Sequence, residues 1–229
     1  MIKTNKFMDV NTYDLEQGDD LWLMSRAGVI TASRAHEVIK PGRKKGSHSA
    51  ARETYMLELI AQVCTGQLAS SVSFKQAEWG HENEPLAREA YSAIDFNVVD
   101  ECGLFYKDES LRVGISPDGL MDELKRGLEI KCPFTTQVHI NTLLNKEIKP
   151  EYLTQCQFSM WASDYDRWDF CSFDYRMRGP KENRLCVIPQ HRDNEIMDKF
   201  EIEIPKFINE MDDRINTLGF EFGQQWCFK

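Results

Sequence analysis

The sequence predicts an α/β (α+β) fold, with helices flanking a central sheet. Three observations carry this. Apolar residues recur at helical spacing over 50–64 and 193–218. Short runs at 98–106, 112–115, 128–132, 168–175 and 184–188 read as strands. The order is helix, helix, strands, helix, helix, strands, helix, without repeats or a second boundary, so residues 1–229 are expected to form one domain.

Composition bounds the function. Hydrophobic content is 41% and charged content 28%, ordinary for a soluble domain. No apolar run is long enough to span a bilayer, and the first residues do not form a signal peptide. Seven scattered cysteines lack zinc or iron–sulfur spacing and read as thiols of a reducing cytoplasm. The net charge of −9 opposes generic nucleic-acid binding. From Arg34 to Arg52, however, six Lys or Arg stand against one acid, a basic strip suited to holding DNA in one place.

Residues 1–20 are polar and without clear pattern. Leu21 to Ala27 could start a helix, with Arg26 at its end. Thr31 or Ser33 then caps a helix from Arg34 to Lys40, whose start would form an anion site within reach of Arg26. A capped helix beside a surface arginine is the competing reading. The loop 41–48 is the densest positive patch. Met56, Leu59, Ile60 and Val63 form one core stripe closed by Gly66. After a polar linker at 67–75, a helix is expected from Phe74 to Ala93. It carries Glu78, Glu82, Glu84 and Glu89, and spacing alone does not select a metal ligand among them.

The strands at 98–106 and 112–115 deliver the chain to Ser116-Pro117-Asp118-Gly119-Leu120. Pro117 and Gly119 hold Asp118 in a tight turn. A hairpin connection follows, and Leu128 to Cys132 forms a strand stopped by Pro133. Alternation puts Glu129 and Lys131 on one face and Leu128, Ile130 and Cys132 toward the core. Two carboxylates on rigid elements suit a hard divalent cation. A lysine beside them can stabilise charge on a phosphate under attack. As a bare pattern the spacing recurs by chance, and a solvated hairpin competes with it.

Thr135 is expected to cap a helix through Leu144. Pro150 starts another to Ala162, with Tyr152, Gln155 and Ser159 on one face and Gln157 turned away. Asp193 caps a long amphipathic helix that Pro205 should break in two.

These pieces, in order, resemble a known family. Glu16-Gln17-Gly18-Asp19-Asp20 with Trp22, Gly28 to Ser33, Cys64-Thr65-Gly66, Trp79-Gly80, Asp108-Glu109-Ser110, Ser116 to Leu120 and Leu128 to Phe134 all match. So do Gln155-x-Gln157 with Ser159-Met160-Trp161, and Gly219-Phe220, Phe222-Gly223 and Gln225-Trp226. The chain resembles the phage lambda exonuclease family, YqaJ-like viral recombinase nucleases of the PD-(D/E)xK superfamily.

The resemblance implies a restriction-endonuclease-like core with a central mixed sheet. It also implies a magnesium-dependent, processive 5′-to-3′ exonuclease on duplex DNA ends, releasing 5′-mononucleotides and leaving 3′ overhangs for strand annealing. By that resemblance two magnesium ions, or manganese, would be held by Asp118, Glu129 and the Ile130 carbonyl. Lys131 becomes the catalytic lysine, and Glu84 and Gln155 join the active site. Arg26, Ser33 and Ser116 grip the terminal 5′-phosphate, and Arg43 contacts DNA. A homotrimeric ring and a single-strand annealing partner are further implications. Ala77 departs from the family, standing where a strand-parting leucine is expected; Phe74 is a candidate substitute. Rival readings are a related endonuclease and a non-catalytic DNA-end-binding scaffold.

Overall fold

The computed structural model describes residues 1–44, 46–68, 74–95 and 98–227. In chain order the elements are β1 (Thr4–Asn5), β2 (Val10–Asn11), α1 (Asp20–Ser25), β3 (Ile30–Thr31), α2 (Ala35–Ile39), α3 (Ala50–Thr65), α4 (Phe74–Asp95) and β4 (Phe105–Tyr106). There follow β5 (Val113–Ile115), β6 (Gly119–Met121), β7 (Arg126–Lys131), α5 (Thr136–Asn145), α6 (Pro150–Ser163), β8 (Arg167–Phe173), β9 (Leu185–His191) and α7 (Asn194–Thr217). The expected α/β architecture is present.

Among the described residues the main sheet has the order β6-β7-β8-β9. It is mixed: β7 and β8 are parallel, while β6 and β9 pair antiparallel at the edges. Both faces are covered. On one, Ala87 and Tyr91 of α4 pack with Leu128, Ile130, Cys171 and Phe173. On the other, Trp168 and Phe170 join the core built by α2, α3, α6 and α7. A strand buried on two sides needs small residues where a large side chain crosses it. A Cβ on Gly127 would lie 2.3 Å from the Trp168 ring, its partner in register.

A smaller sheet, β3-β5-β4, lies upstream. Its parallel pair aligns Thr31 with Gly114, so Ser33 and Ser116 both lie two residues past one register point. The link from β5 to β6 joins the two sheets and consists of Ser116, Pro117 and Asp118.

Several local expectations differ. The N-terminal stretch is ordered: β1 pairs β2, and buried Asn5 and Thr12 bond to Tyr106 Oη (3.0 Å) and the Leu104 carbonyl (2.9 Å). Neither Thr31 nor Ser33 caps a helix. A 3-10 turn over Ala32–Arg34 leads into the five-residue α2, with no side-chain cap bond. The strand expected at 98–106 is confined to Phe105–Tyr106. Thr135 stands at the start of α5 without a capping bond. Residues 69–73 of the expected linker, and the side chains of Phe74 and Ala77, lie outside the described residues.

Pro205 does not divide α7, which runs unbroken for 24 residues. Its ring faces solvent, where the carbonyl it strands can be hydrated. An interior proline costs about 3 kcal/mol. Burial of Ile204, Phe207, Met211 and Ile215 on the opposite face, at roughly 1.5–3 kcal/mol each, exceeds that.

Candidate active site

The site forms where β7 leaves the main sheet. Antiparallel pairing of Gly119 with Leu128 brings Asp118 beside Ile130. The Ile130 N–H donates to Asp118 Oδ2 (2.6 Å), and the Asp118 N–H donates to the Leu128 carbonyl (3.2 Å). Alternation holds along β7: Leu128 and Ile130 pack toward α4, and Lys131 faces α6, its Nζ 5.3 Å from the Tyr152 ring centre. The ammonium of Lys131 donates to Glu129 Oε1. Glu129 is only 2% exposed, which removes the solvated-hairpin reading, because a surface carboxylate would not be buried there.

Glu84 comes from α4 on the far side of the cleft. It lines a cavity of about 660 Å³ with Lys131, Cys132 and Tyr152, and a second of about 390 Å³ with Asp118. Burial and the neighbouring Asp118 push its carboxyl up to about 7, although Lys131 and Arg88 pull the other way. Burial likewise pushes Asp118 up against the pull of Lys131. Glu129 is also raised, by burial first, while Lys131 opposes and Asp118 adds to the rise. Desolvation works against the charged form of half-buried Lys131, but the charge on Glu129 and Asp118 outweighs it and keeps the ammonium protonated, well above its ordinary value. Three crowded carboxylates lie around Lys131, with Arg88 at the side of Glu84 and Asp118.

Among the described residues no three His, Cys, Asp or Glu side chains gather at ligand spacing. The available donors are therefore two carboxylates, Asp118 and Glu129, with main-chain oxygen. Magnesium keeps several waters and commonly takes only one or two protein carboxylates, and their mutual repulsion in a buried site favours a bound cation. The donor set fits such an ion. Ile130 contributes its N–H here.

Gln155 is half-buried on α6, one turn beyond Tyr152. Gln157 is turned away, as expected, and is structural: its amide donates to the His191 carbonyl and accepts from the Asp193 N–H (2.8 and 2.9 Å).

A second cluster adjoins the first. Arg26 Nη1 donates to Ser116 Oγ (2.9 Å), its guanidinium lies 4.3 Å from the Trp22 ring centre, and Trp22 Nε1 donates to Ser116 Oγ (3.2 Å). Burial lowers the Arg26 pKa to about 10, and among the described residues no carboxylate pairs with it. Ser33 is exposed, its hydroxyl 3.5 Å from that of Thr31. The parallel β3–β5 pair sets Ser33 and Ser116 at one end of the small sheet. A half-buried guanidinium with no carboxylate partner and one serine hydroxyl beside it has the chemistry to receive an anion, although no helix start contributes to it.

The basic strip is smaller than its sequence. Arg34 pairs with Glu37 and Glu58, and Arg52, 1% exposed, pairs with Glu210. Arg43 is exposed in a loop closed by a bridge between Pro41 and His48. Among the described residues no contact joins Arg43 to the carboxylates.

Two residues of the site escape sequence reasoning. Arg88, one turn after Glu84, donates to the Asp118 carbonyl (3.1 Å) and pairs with Glu101 (2.8 Å). Gln17 donates to the carbonyls of Cys102 and Pro117 (both 2.9 Å). Position on the Glu84 helix face was the available signal for Arg88; Gln17 is a hundred residues from its partner and left none.

Comparison with known proteins is concordant. Residues 21–166 match the YqaJ-like viral recombinase domain. An alkaline exonuclease from Laribacter hongkongensis superposes with a TM-score of 0.76 at 32% identity, covering 88% of this chain and 96% of its own. The same enzyme in complex with dAMP gives 0.76 at 33%, covering 87% and 96%. A phage-related exonuclease from Haemophilus somnus 129PT shares the fold at 17% identity and a TM-score of 0.66, covering 83% and 96%. The ExoD protein of Escherichia coli K12 is 38% identical over 79 residues, which are 34% of this chain and 87% of that protein.

Proposed function

The chain belongs to the YqaJ-like viral recombinase domain family, and on that premise we propose a magnesium-dependent, processive exonuclease acting 5′ to 3′ on duplex DNA ends. The protein is an exodeoxyribonuclease of a metal-dependent family. Among its described residues no helix is long and apolar enough to cross a membrane. One observation carries the finer reading: the half-buried guanidinium of Arg26, with no carboxylate partner among the described residues, bonded to a serine two residues from Asp118.

In this reading Arg26, Ser33 and Ser116 hold a terminal 5′-phosphate. Asp118, Glu129 and the Ile130 carbonyl hold the cation. When bound, magnesium or manganese supplies Lewis-acid charge at the scissile phosphate and eases deprotonation of water. Lys131 sets a fixed positive charge beside the phosphate, partly screened from solvent. Glu84, poised near neutrality, and Gln155 orient the attacking water from opposite walls. Clamping the end positions the next phosphodiester and limits the product to mononucleotides.

The acidic body fits a ring of three copies that encloses DNA rather than attracting it. Arg43 would touch the duplex outside the carboxylate cleft, and the remaining 3′ overhang would pass to a single-strand annealing protein. Sedimentation should then give a species three times the 26.6 kDa chain mass. Digestion of 5′-phosphorylated linear, 5′-hydroxyl linear and closed circular duplex tests the assignment. We expect rapid, slow and no digestion respectively, and Arg26→Ala should erase the first difference while keeping cleavage. Equal losses on both linear ends would remove the phosphate pocket; nicking of the circle would make the enzyme an endonuclease.

A further inference from the structure

Beyond the carboxylates, the cleft wall continues into an aromatic and basic surface that the reaction above does not use. Phe134, just after β7, lines the 660 Å³ cavity together with Lys131. Its ring meets Trp79 edge-on at 5.8 Å, and Trp79 stacks with Tyr175 at 5.7 Å. Phe134 is 50% exposed and Tyr175 44%, so two of the three rings keep open faces beside the active site. Such exposure is costly for large aromatics and calls for an occupant.

The cluster is rigidly held. Arg176 lies 4.4 Å from the Trp79 ring centre. It bonds both oxygens of buried Asp174 (2.8 Å each) and the carbonyls of Pro133 and Phe134 (3.1 Å each). Every partner fixes the arginine against the aromatic face, and through it the turn that carries Phe134.

The surrounding charge selects the occupant. In a chain of net charge −9, the connection from β8 to β9 exposes Arg178, Lys181 and Arg184 against a single exposed acid, Glu182. Unlike Arg34 and Arg52, Arg178 and Lys181 take part in none of the ion pairs of the described residues. Open aromatic faces interleaved with free cations suit unpaired nucleic acid, whose bases stack while its phosphates meet the cations. Duplex DNA would hide its bases from these rings.

We propose that Phe134, Trp79 and Tyr175, with Arg178 and Lys181, form a stacking platform for single-stranded DNA beside the active site. Its occupant is the strand left unpaired by digestion, and in that identification the platform rests on the exonuclease reading. It also offers a way of keeping the ends apart that needs no leucine at position 77.

The test uses the full chain in EDTA, where no cleavage occurs, with a fluorescently labelled single-stranded oligonucleotide read by anisotropy. Phe134→Ala and Tyr175→Ala should each weaken binding about tenfold, the loss of one stacked base. Phe134→Trp and Tyr175→Phe, which keep a ring, should bind as the parent does. Arg178→Ala should lower the slope of log affinity against log salt by about 0.7. Parental affinity in the double alanine variant overturns the platform, as does equal loss in the ring-keeping variants. So does a double variant that keeps single-strand affinity and loses only a protein partner. Because binding is read without cleavage, failure of the exonuclease assignment shows separately, as absent nucleotide release with intact single-strand binding.

Discussion

Lys131 is a half-buried ammonium bonded to Glu129 and drawn by the charge of Asp118, and under the proposed reading it supplies a fixed positive charge to the reaction. Lys131→Ala should lower kcat by roughly 10²–10³, as for other preorganised charge stabilisers, with intact folding by circular dichroism. Arg88 works at one remove, fixing the turn through the Asp118 carbonyl. Arg88→Ala should weaken metal affinity about 10- to 100-fold, seen as a shifted magnesium titration with kcat recovered at saturation. The first prediction was legible in the sequence, because strand alternation needs only neighbouring residues. The second was not. A guanidinium that touches a carbonyl thirty residues away shows in the sequence only as a charge one turn from Glu84, and there it reads as an ordinary surface cation.

At the scale of elements, the long helices announced themselves through apolar periodicity. Ser49, whose side chain accepts from the Arg52 N–H, and Gly66, in the left-handed region, bound α3 within a residue or two of expectation. The two-residue strands β1 to β3 were hidden, since two residues carry no alternation to detect. Their pairing comes from distant partners, as in the bond from the Ile2 N–H to the Tyr106 carbonyl. Gly127 looked like a turn residue and proves to be a packing residue. Gly127→Ala would drive a methyl into the Trp168 ring and should cost about 1–3 kcal/mol. Urea unfolding should show the midpoint fall with an unchanged m-value, and loss of activity only in proportion to loss of folded protein.

For the whole molecule, charge is the organising quantity. The basic strip from Arg34 to Arg52 promised a DNA-binding face, yet Arg34 and Arg52 neutralise Glu37, Glu58 and Glu210 instead. Sequence counts charges but not their partners. The acidic centre has the opposite character, with Glu84 raised from 4.5 to about 7 and Asp118 and Glu129 raised as well. A carboxyl raised in the folded state binds more protons there than in the unfolded chain. Its contribution is therefore full below the ordinary value and fades as pH climbs through the folded one. Metal-free protein should lose thermal stability between about pH 4.5 and 7, and Glu84→Gln should flatten that slope. Magnesium should raise Tm more at pH 8 than at pH 5.5, since only ionised carboxylates bind it tightly. A melting temperature of the metal-free protein that rises over this range would contradict the assignment.

The short link between the two sheets has a further effect. Ser116 and Asp118 are separated by one stiff proline, so under the proposed reading the group that grips a chain end and the group that holds the cation stand on one short link at a fixed interval. In that reading the interval would work as a caliper. An enzyme so built measures its product before it cuts, and inserting residues after Pro117 would alter the size of the fragment released as well as the speed of release.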